Sequence, residues 1–293
     1  MPAVAIVRTP VAPLHAEPRV SSAQATQALF GRLVLVLGAD GDWRRVRTLH
    51  DGYEGWAHRG YLDEIEVPAL PDDEAIFGAY EARTFEVPAV RTASPDVTSP
   101  DGARDAAREA FGEQVPSVSL GCTVQAGARR LRLPLGAVVH AEQALVDGEA
   151  VRIDEKDAHY PVDAAAICAS AERLFAGTSY QWGGVTPWGA DCSGFVQTLL
   201  GLHGVDLPRD AWQQARVGVA GDADPLAARP ADLLFFSERD DRRPTHVGLA
   251  LGGGRMAHLA LGRGGWAVDD LGDGDDAYVA ELRGRFVGAR RVV

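Results

Sequence analysis

Three residues of this 293-residue chain can form a nucleophilic site: Cys192, His246 and His258. Cys192 stands in Gly-Ala-Asp-Cys-Ser-Gly-Phe (189–195), between an acid and a Ser-Gly pair. Phe195, Val196, Leu199 and Leu200 follow at helical spacing, so the thiol is expected in the first turn of a core-facing helix. Unpaired N–H groups and the positive end of the helix dipole favour thiolate there, which predicts a lowered Cys192 pKa. The competing reading is a buried structural cysteine, the usual state of a free thiol.

A base must come from elsewhere, and two histidines lie in Thr-His-Val-Gly-Leu-Ala-Leu-Gly-Gly-Gly-Arg-Met-Ala-His-Leu-Ala (245–260), which reads as a hairpin through Gly252–Gly254. If a three-residue loop pairs Leu251 with Arg255, His246 faces Ala260, and His258 falls on the same face, about 7–8 Å away at the backbone. A two-residue turn would send the rings to opposite faces. On one face, the pair supports a Cys-His-His constellation for covalent catalysis. Zinc is the rival use of the same three residues, but no Cys-x-x-Cys or His-x-x-x-His pair supports it. Neither metal nor cofactor is expected.

The elements that must position these groups come in three regions. Residues 1–67 hold short β-rich runs, including 33–38, 43–48 and 55–58, separated by Gly-Asp turns, and predict a small barrel. A Pro-punctuated linker, 68–74, leads to a second region, 74–156, that echoes the first: Ile-Val-Arg-Thr (6–9) returns as Ala-Val-Arg-Thr (89–92), Ala-Leu-Phe-Gly (28–31) as Glu-Ala-Phe-Gly (109–112), and Leu-Val-Leu-Gly (35–38) as Val-Ser-Leu-Gly (118–121). The echo suggests a duplicated domain. A helical insertion is predicted in 102–112, where Ala103, Ala106, Ala107, Ala110 and Phe111 fall on one face. The third region, 160–293, runs helices first and strands afterwards, the order of an α+β domain.

Composition narrows the function. Apolar residues make up 46% of the chain, as in folded globular proteins, and a net charge of −12 argues against a phosphate-backbone partner. Cys122, Cys168 and Cys192 are too scattered for a disulfide framework. No signal peptide or membrane-spanning run is read in the sequence, so a cytoplasmic protein is expected, with no nucleic-acid or membrane partner.

Six motifs occur in order in the third region: Tyr-Gln-Trp-Gly-Gly (180–184), Asp-Cys-Ser-Gly-Phe (191–195), Leu-Pro-Arg-Asp-Ala (207–211), Asp-Leu-Leu-Phe-Phe (232–236), His-Val-Gly-Leu-Ala-Leu (246–251) and Met-Ala-His-Leu (256–259). Together they resemble the NlpC-type cell-wall cysteine peptidases, also called the p-sixty family. The resemblance implies a papain-like fold with Cys192 as nucleophile, His246 as base and His258 orienting that base. It also implies Tyr180 beside the nucleophile, with Asp191, Ser193, Arg209 and Asp210 lining the substrate groove. Read locally, Asp191 could instead cap the helix and Arg209 form an ion pair. Ala231 stands where the family usually has Gly.

Upstream, Gln-Ala-Leu-Phe-Gly (27–31) and the Asp-Gly-Tyr-Glu-Gly-Trp stretch (51–56) resemble the bacterial SH3-like domains that accompany this catalytic domain. Two such barrels are expected ahead of it. The resemblance places Tyr53 at the amino end of a bound peptide, and an ammonium there calls for a carboxylate, with Glu54 or Asp210 as candidates. Its usual substrate is the bond between γ-D-glutamate and a diamino acid in peptidoglycan stem peptides, here expected to be free L-Ala-γ-D-Glu-diaminopimelate met in cell-wall recycling. An amidase or acyltransferase on the same scaffold and a non-catalytic wall-binding protein are the alternatives.

Overall fold

The computed structural model describes residues 3–65 and 115–293. These fall into two compact units, the first running to Lys156 and the second from Asp157. The proposed linker, the helical insertion and two of the three repeat echoes lie outside the described residues.

In the first unit, strands β1 (Ala3–Val7), β2 (Val11–His15), β3 (Gln24–Leu29), β4 (Leu33–Asp40), β5 (Trp43–Thr48), β6 (Glu54–His58) and β7 (Leu62–Ile65) form one antiparallel sheet, ordered β3-β2-β6-β5-β4-β1-β7. Alternate residues such as Ala5 and Val7, or Ala12 and Leu14, supply its apolar core, the period-2 pattern of a half-buried sheet. Closure of this sheet into the expected barrel is not shown: among the described residues β3 and β7 end the ladder without pairing to each other. Bulges after Leu14 and Val36 bend the strands without joining those edges.

The second barrel, expected over 74–156, lies in part outside the described residues. Described strands β8 (Ser117–Ser119), β9 (Thr123–Ala126), β10 (Arg129–Arg132), β11 (Val138–Val139), β12 (Ala144–Asp147) and β13 (Ala150–Arg152) make two three-stranded sheets, β10-β9-β12 and β11-β8-β13. They join the first sheet at the Phe30-Gly31-Arg32 turn. Val138 N donates to Phe30 O at 2.8 Å, and both Nε and Nη2 of Arg32 reach Gly136 O. Gly31 is required there, because it has φ +74° and a Cβ would lie 2.0 Å from Val138 O.

The second unit carries helices α1 (Ala164–Phe175), α2 (Cys192–Leu202) and α3 (Ala211–Gln214). Between α1 and α2 lies a short hairpin, β14 (Val185–Thr186) and β15 (Gly189–Ala190). A six-stranded antiparallel sheet follows, ordered β16-β21-β17-β18-β19-β20, from β16 (Val219–Ala220), β17 (Leu233–Phe236), β18 (His246–Gly252), β19 (Arg255–Ala260), β20 (Gly265–Asp270) and β21 (Phe286–Arg291). One late helix, α4 (Ala277–Gly284), interrupts the expected helices-then-strands order.

Helix α2 lies against β18 and β19, and Phe195, Val196, Leu199 and Leu200 are fully buried. Removing such side chains from water stabilises by about 1.5–3 kcal/mol each, which fixes the helix axis and the place of its first residue. Phe195 meets Phe175 of α1 and Trp266 of β20 edge-on, at 5.0 and 5.5 Å between centroids. The helix is thereby held from both sides.

Candidate active site

Cys192 is the first residue of α2, and Asp191 is its N-cap, accepting from Gly194 N at 2.7 Å. Asp191 also receives Gly183 N at 2.9 Å and the Ser193 hydroxyl at 3.1 Å. Gly194 allows the helix start to press on the preceding loop, since a Cβ there would fall 2.1 Å from Gly184 O. The Asp-Cys-Ser-Gly order is therefore a local machine: a cap, a thiol, a hydroxyl that ties back to the cap, and a residue with no side chain at the tightest approach.

Arg209 completes this brace. Its Nη1 and Nη2 pair with Asp191 Oδ1 and Oδ2 at 3.0 and 2.7 Å, Nη1 also donates to Ser193 Oγ at 2.8 Å, and the side chain is 2% exposed. Expected to line the groove, Asp191, Ser193 and Arg209 are instead turned to one another and buried. Their geometry positions the nucleophile. Asp210, partly exposed, starts α3, with its amide on Gln213 Oε1 and its Oδ2 taking the Trp212 indole N–H at 3.1 Å.

The cysteine sulfur accepts hydrogen bonds from the backbone N–H of Val247 and of Ser193, which sets it against the first residues of β18. His246 begins that strand, and its Nε2 lies 2.8 Å from His258 Nδ1 on β19. The two rings thus share a face, as the three-residue loop required, although the hairpin achieves this differently. Gly252 pairs with Arg255 across a two-residue turn, and a bulge after Ala250 restores the Leu249–Ala257 register that sets His246 opposite Ala260. With Nε2 of His246 bonded to its neighbour, Nδ1 is the nitrogen left to serve the thiol.

Two further side chains belong to the chain of contacts. Asp269 Oδ2 lies 3.0 Å from His258 Nε2, and Arg263 Nη2 lies 3.0 Å from Asp269 Oδ1. Neither was singled out from the sequence. Their signal is register: β20 pairs Ala267 with His258 and Asp269 with Met256, which puts Asp269 on the diagonal from His258. The β19–β20 connection, a 3-10 turn at Leu261–Arg263 closed by left-handed Gly264, sets that register. A run such as Trp-Ala-Val-Asp-Asp does not disclose it.

Electrostatics corrects one expectation. Burial, reinforced by the Asp191 charge, pushes the Cys192 thiol up to about 12, against the opposing bonds from Val247 and Ser193 and the Arg209 charge. Burial also lowers His246, to about 3, with repulsion from His258 adding to it and Asp269 opposing. The helix start is therefore outweighed by desolvation of the buried sulfur. Neither group charges alone; moving the proton from sulfur to imidazole creates both charges together and leaves the net charge unchanged. Burial raises Tyr180 as well, helped by the charges of Cys192 and Asp191, so its phenol stays a hydrogen-bond donor near the sulfur. Its backbone is fixed by a bond to Gly264 O at 3.1 Å and a bridge to Ala190.

Zinc fits poorly, because the two imidazoles are bonded to each other rather than open to an ion; among the described residues no group of three or more His, Cys, Asp and Glu could hold one. Also among these residues, no helix is long and apolar enough to cross a membrane. Tyr53 and Glu54 belong to the first unit. Tyr53, half-buried, follows the Thr48–Asp51 turn, with its amide on Thr48 Oγ1 at 2.9 Å. Glu54 accepts two bonds from Arg45 at Oε2 and two from Arg47 at Oε1, at 2.6–3.2 Å. Partial burial alone would raise its pKa, but these arginines hold it below the ordinary value. A carboxylate shared by two guanidiniums offers little to an ammonium.

Residues 177–274 match the model of the NlpC/P60 family, a span that contains the thiol, both histidines and Asp269. The second unit carries an NlpC/P60 cysteine peptidase domain. Residues 14–60 match the bacterial dipeptidyl-peptidase Sh3 domain, so the NlpC/P60 domain follows an SH3-type segment here, as the sequence motifs suggested. A γ-D-glutamyl-L-lysine dipeptidyl-peptidase of Bacillus cereus is 28% identical over 278 residues, covering 91% of this chain and 74% of the relative. That of Bacillus subtilis is 27% identical over 241 residues, covering 80% and 71%. The crystal structure of an NlpC/P60 family protein from Bacillus cereus superposes with a TM-score of 0.67 at 18% identity, covering 99% of both chains, and shares the fold.

Proposed function

We propose that this NlpC/P60 peptidase hydrolyses the bond between γ-D-glutamate and a diamino acid in peptidoglycan stem peptides, releasing the amino-terminal dipeptide from free L-Ala-γ-D-Glu-diaminopimelate. The observation that carries the reading is the bonded His246–His258 pair beside a thiol that Val247 N–H holds in place. The names of the two Bacillus relatives, dipeptidyl-peptidases for γ-D-glutamyl-L-lysine, supply the substrate class.

His246 Nδ1 takes the Cys192 proton as sulfur attacks the γ-carbonyl carbon. The Cys192 amide, which has no intrahelical acceptor at this first helical position, and the Tyr180 hydroxyl then stabilise the oxyanion in this reading. Collapse of the tetrahedral species breaks the C–N bond, and the imidazolium returns its proton to the leaving amine. Water, deprotonated by the same nitrogen, then cleaves the thioester and restores the thiol.

Release of a dipeptide from the amino end requires recognition of a free ammonium, and a carboxylate such as Asp210, which starts α3 and accepts the Trp212 indole N–H, suits that cation by charge. Mass spectrometry of defined peptides tests the proposal. Cleavage after γ-D-Glu is expected for the free peptide, with a large loss of rate when the amino end is acetylated or joined to muramic acid. Equal rates on free and blocked peptides would refute dipeptide release, and intact γ-D-Glu bonds would refute the substrate class.

A further inference from the structure

The hydrogen-bonded chain that begins at His246 ends on a carboxylate whose own orientation is fixed. Arg263 Nη2 makes an ion pair with Asp269 Oδ1 at 3.0 Å, and its Nε donates to Oδ2 at 3.4 Å. Arg263 is itself anchored by Asp276 and lies over the Tyr278 ring, 4.4 Å from its centroid. Burial alone would raise the Asp269 pKa, but bonds and charges from His258 and Arg263 outweigh it and keep the group below the ordinary carboxylate value. Asp269 is therefore an ionised, acceptor-only group.

We propose that Asp269, aimed by Arg263, is a positioning residue that sets the protons of both imidazoles and so decides which nitrogen of His246 is the base. The order follows from donor and acceptor counting. Asp269 can only accept, so His258 carries its proton on Nε2; its Nδ1 is then a lone pair, and His246 must donate from Nε2. The lone pair of His246 is left on Nδ1. Reversing the first link reverses every later one.

Asp269→Asn supplies that reversal without changing shape. An asparagine must give its oxygen to one neighbour and its NH2 to the other, and Arg263, a donor only, takes the oxygen at the 3.0 Å contact. The NH2 then faces His258 Nε2, which must accept. His258 is protonated on Nδ1, His246 Nε2 becomes the acceptor, and the His246 proton moves to Nδ1, the nitrogen needed to receive the thiol proton. Asp269→Ala, in contrast, leaves His258 free to adopt either tautomer.

The inference rests on His246 as base in the proposed reaction, so its test includes a readout that needs no substrate. In the full chain with 15N-labelled histidine, NMR is expected to find His246 and His258 protonated on Nε2 in the wild type and on Nδ1 in Asp269→Asn. The kcat for the γ-D-glutamyl peptide is expected to fall by about 10⁴ in Asp269→Asn, the size of a wrong-tautomer defect, but by only about 10² in Asp269→Ala. Adding Arg263→Ala to Asp269→Asn frees the amide to turn and recovers activity toward the Ala value. Unchanged tautomers in Asp269→Asn, or an Asn variant as active as the Ala variant, overturns the proposal. A wild type with the predicted tautomers that cuts no γ-D-glutamyl peptide upholds it and refutes the substrate assignment alone.

Discussion

Arg209 grips Asp191 with both ends of its guanidinium, at 3.0 and 2.7 Å, directly beneath the residue that carries the thiol. Both partners are buried, so removing one leaves the other as an uncompensated charge. Arg209→Ala is expected to cost about 3–5 kcal/mol of stability in urea unfolding. Arg209→Lys cannot reproduce the fork and should fall between. A loss below about 1 kcal/mol for the Ala variant, the range of exposed pairs, would show that the brace is not formed as described.

Ala231 has φ +68° and is buried in the turn before β17, between a bond from its amide to Ala250 O and the amide of Asp232 on Arg229 O. That left-handed conformation costs an L-residue with a Cβ roughly 1–2 kcal/mol relative to glycine. Ala231→Gly is therefore expected to raise the unfolding free energy by about 1 kcal/mol, the added unfolded-chain entropy of glycine offsetting part of the gain. Activity should not change. A glycine variant less stable than the wild type would contradict the strain.

Stability should depend on pH through the two catalytic groups, with opposite signs. His246 drops from an ordinary 6.5 to about 3, so the unfolded chain binds the proton first and stability is lost as pH falls from 6.5 towards 3. Cys192 rises from 9.0 to about 12, so the unfolded chain releases its proton first and stability is lost as pH climbs from 9 towards 12. Comparing thermal unfolding of the wild type with His246→Ala and Cys192→Ala across pH 4–11 separates the limbs. Each variant should flatten its own limb and leave the other; a parallel shift of the whole curve would refute the assignment.

The sequence disclosed the parts of this site that lie within one element. Helix α2 was legible from its apolar spacing and acidic cap, and the shared face of His246 and His258 from alternation along a hairpin. What escaped depends on how elements meet. The two-residue turn with its compensating bulge, the β20 register that delivers Asp269, and the strand order of the first sheet are all set by long-range pairing, which local pattern does not encode. The thiol pKa was misjudged for the same reason. A helix start is visible in sequence, whereas the burial that overrides it is a property of everything packed above.

The acid that meets the substrate ammonium can be separated by charge alone. Glu54 is paired with both Arg45 and Arg47, whereas the hydrogen bond to the Asp210 carboxylate from Trp212 comes from a neutral indole N–H. Asp210→Asn preserves a side chain able to start α3 but removes that charge. For the free γ-D-glutamyl peptide it should raise KM roughly 10- to 100-fold, the worth of a charge-assisted hydrogen bond of about 1.5–3 kcal/mol, with a smaller effect on kcat. On the amino-acetylated peptide the same variant should behave like the wild type, because no ammonium is present to lose its partner. Glu54→Gln should leave KM for the free peptide within about twofold, since a group bound by two guanidiniums contributes little field to a third cation. Steady-state kinetics on the matched pair of peptides decides: a KM defect in Glu54→Gln with none in Asp210→Asn would refute the Asp210 assignment.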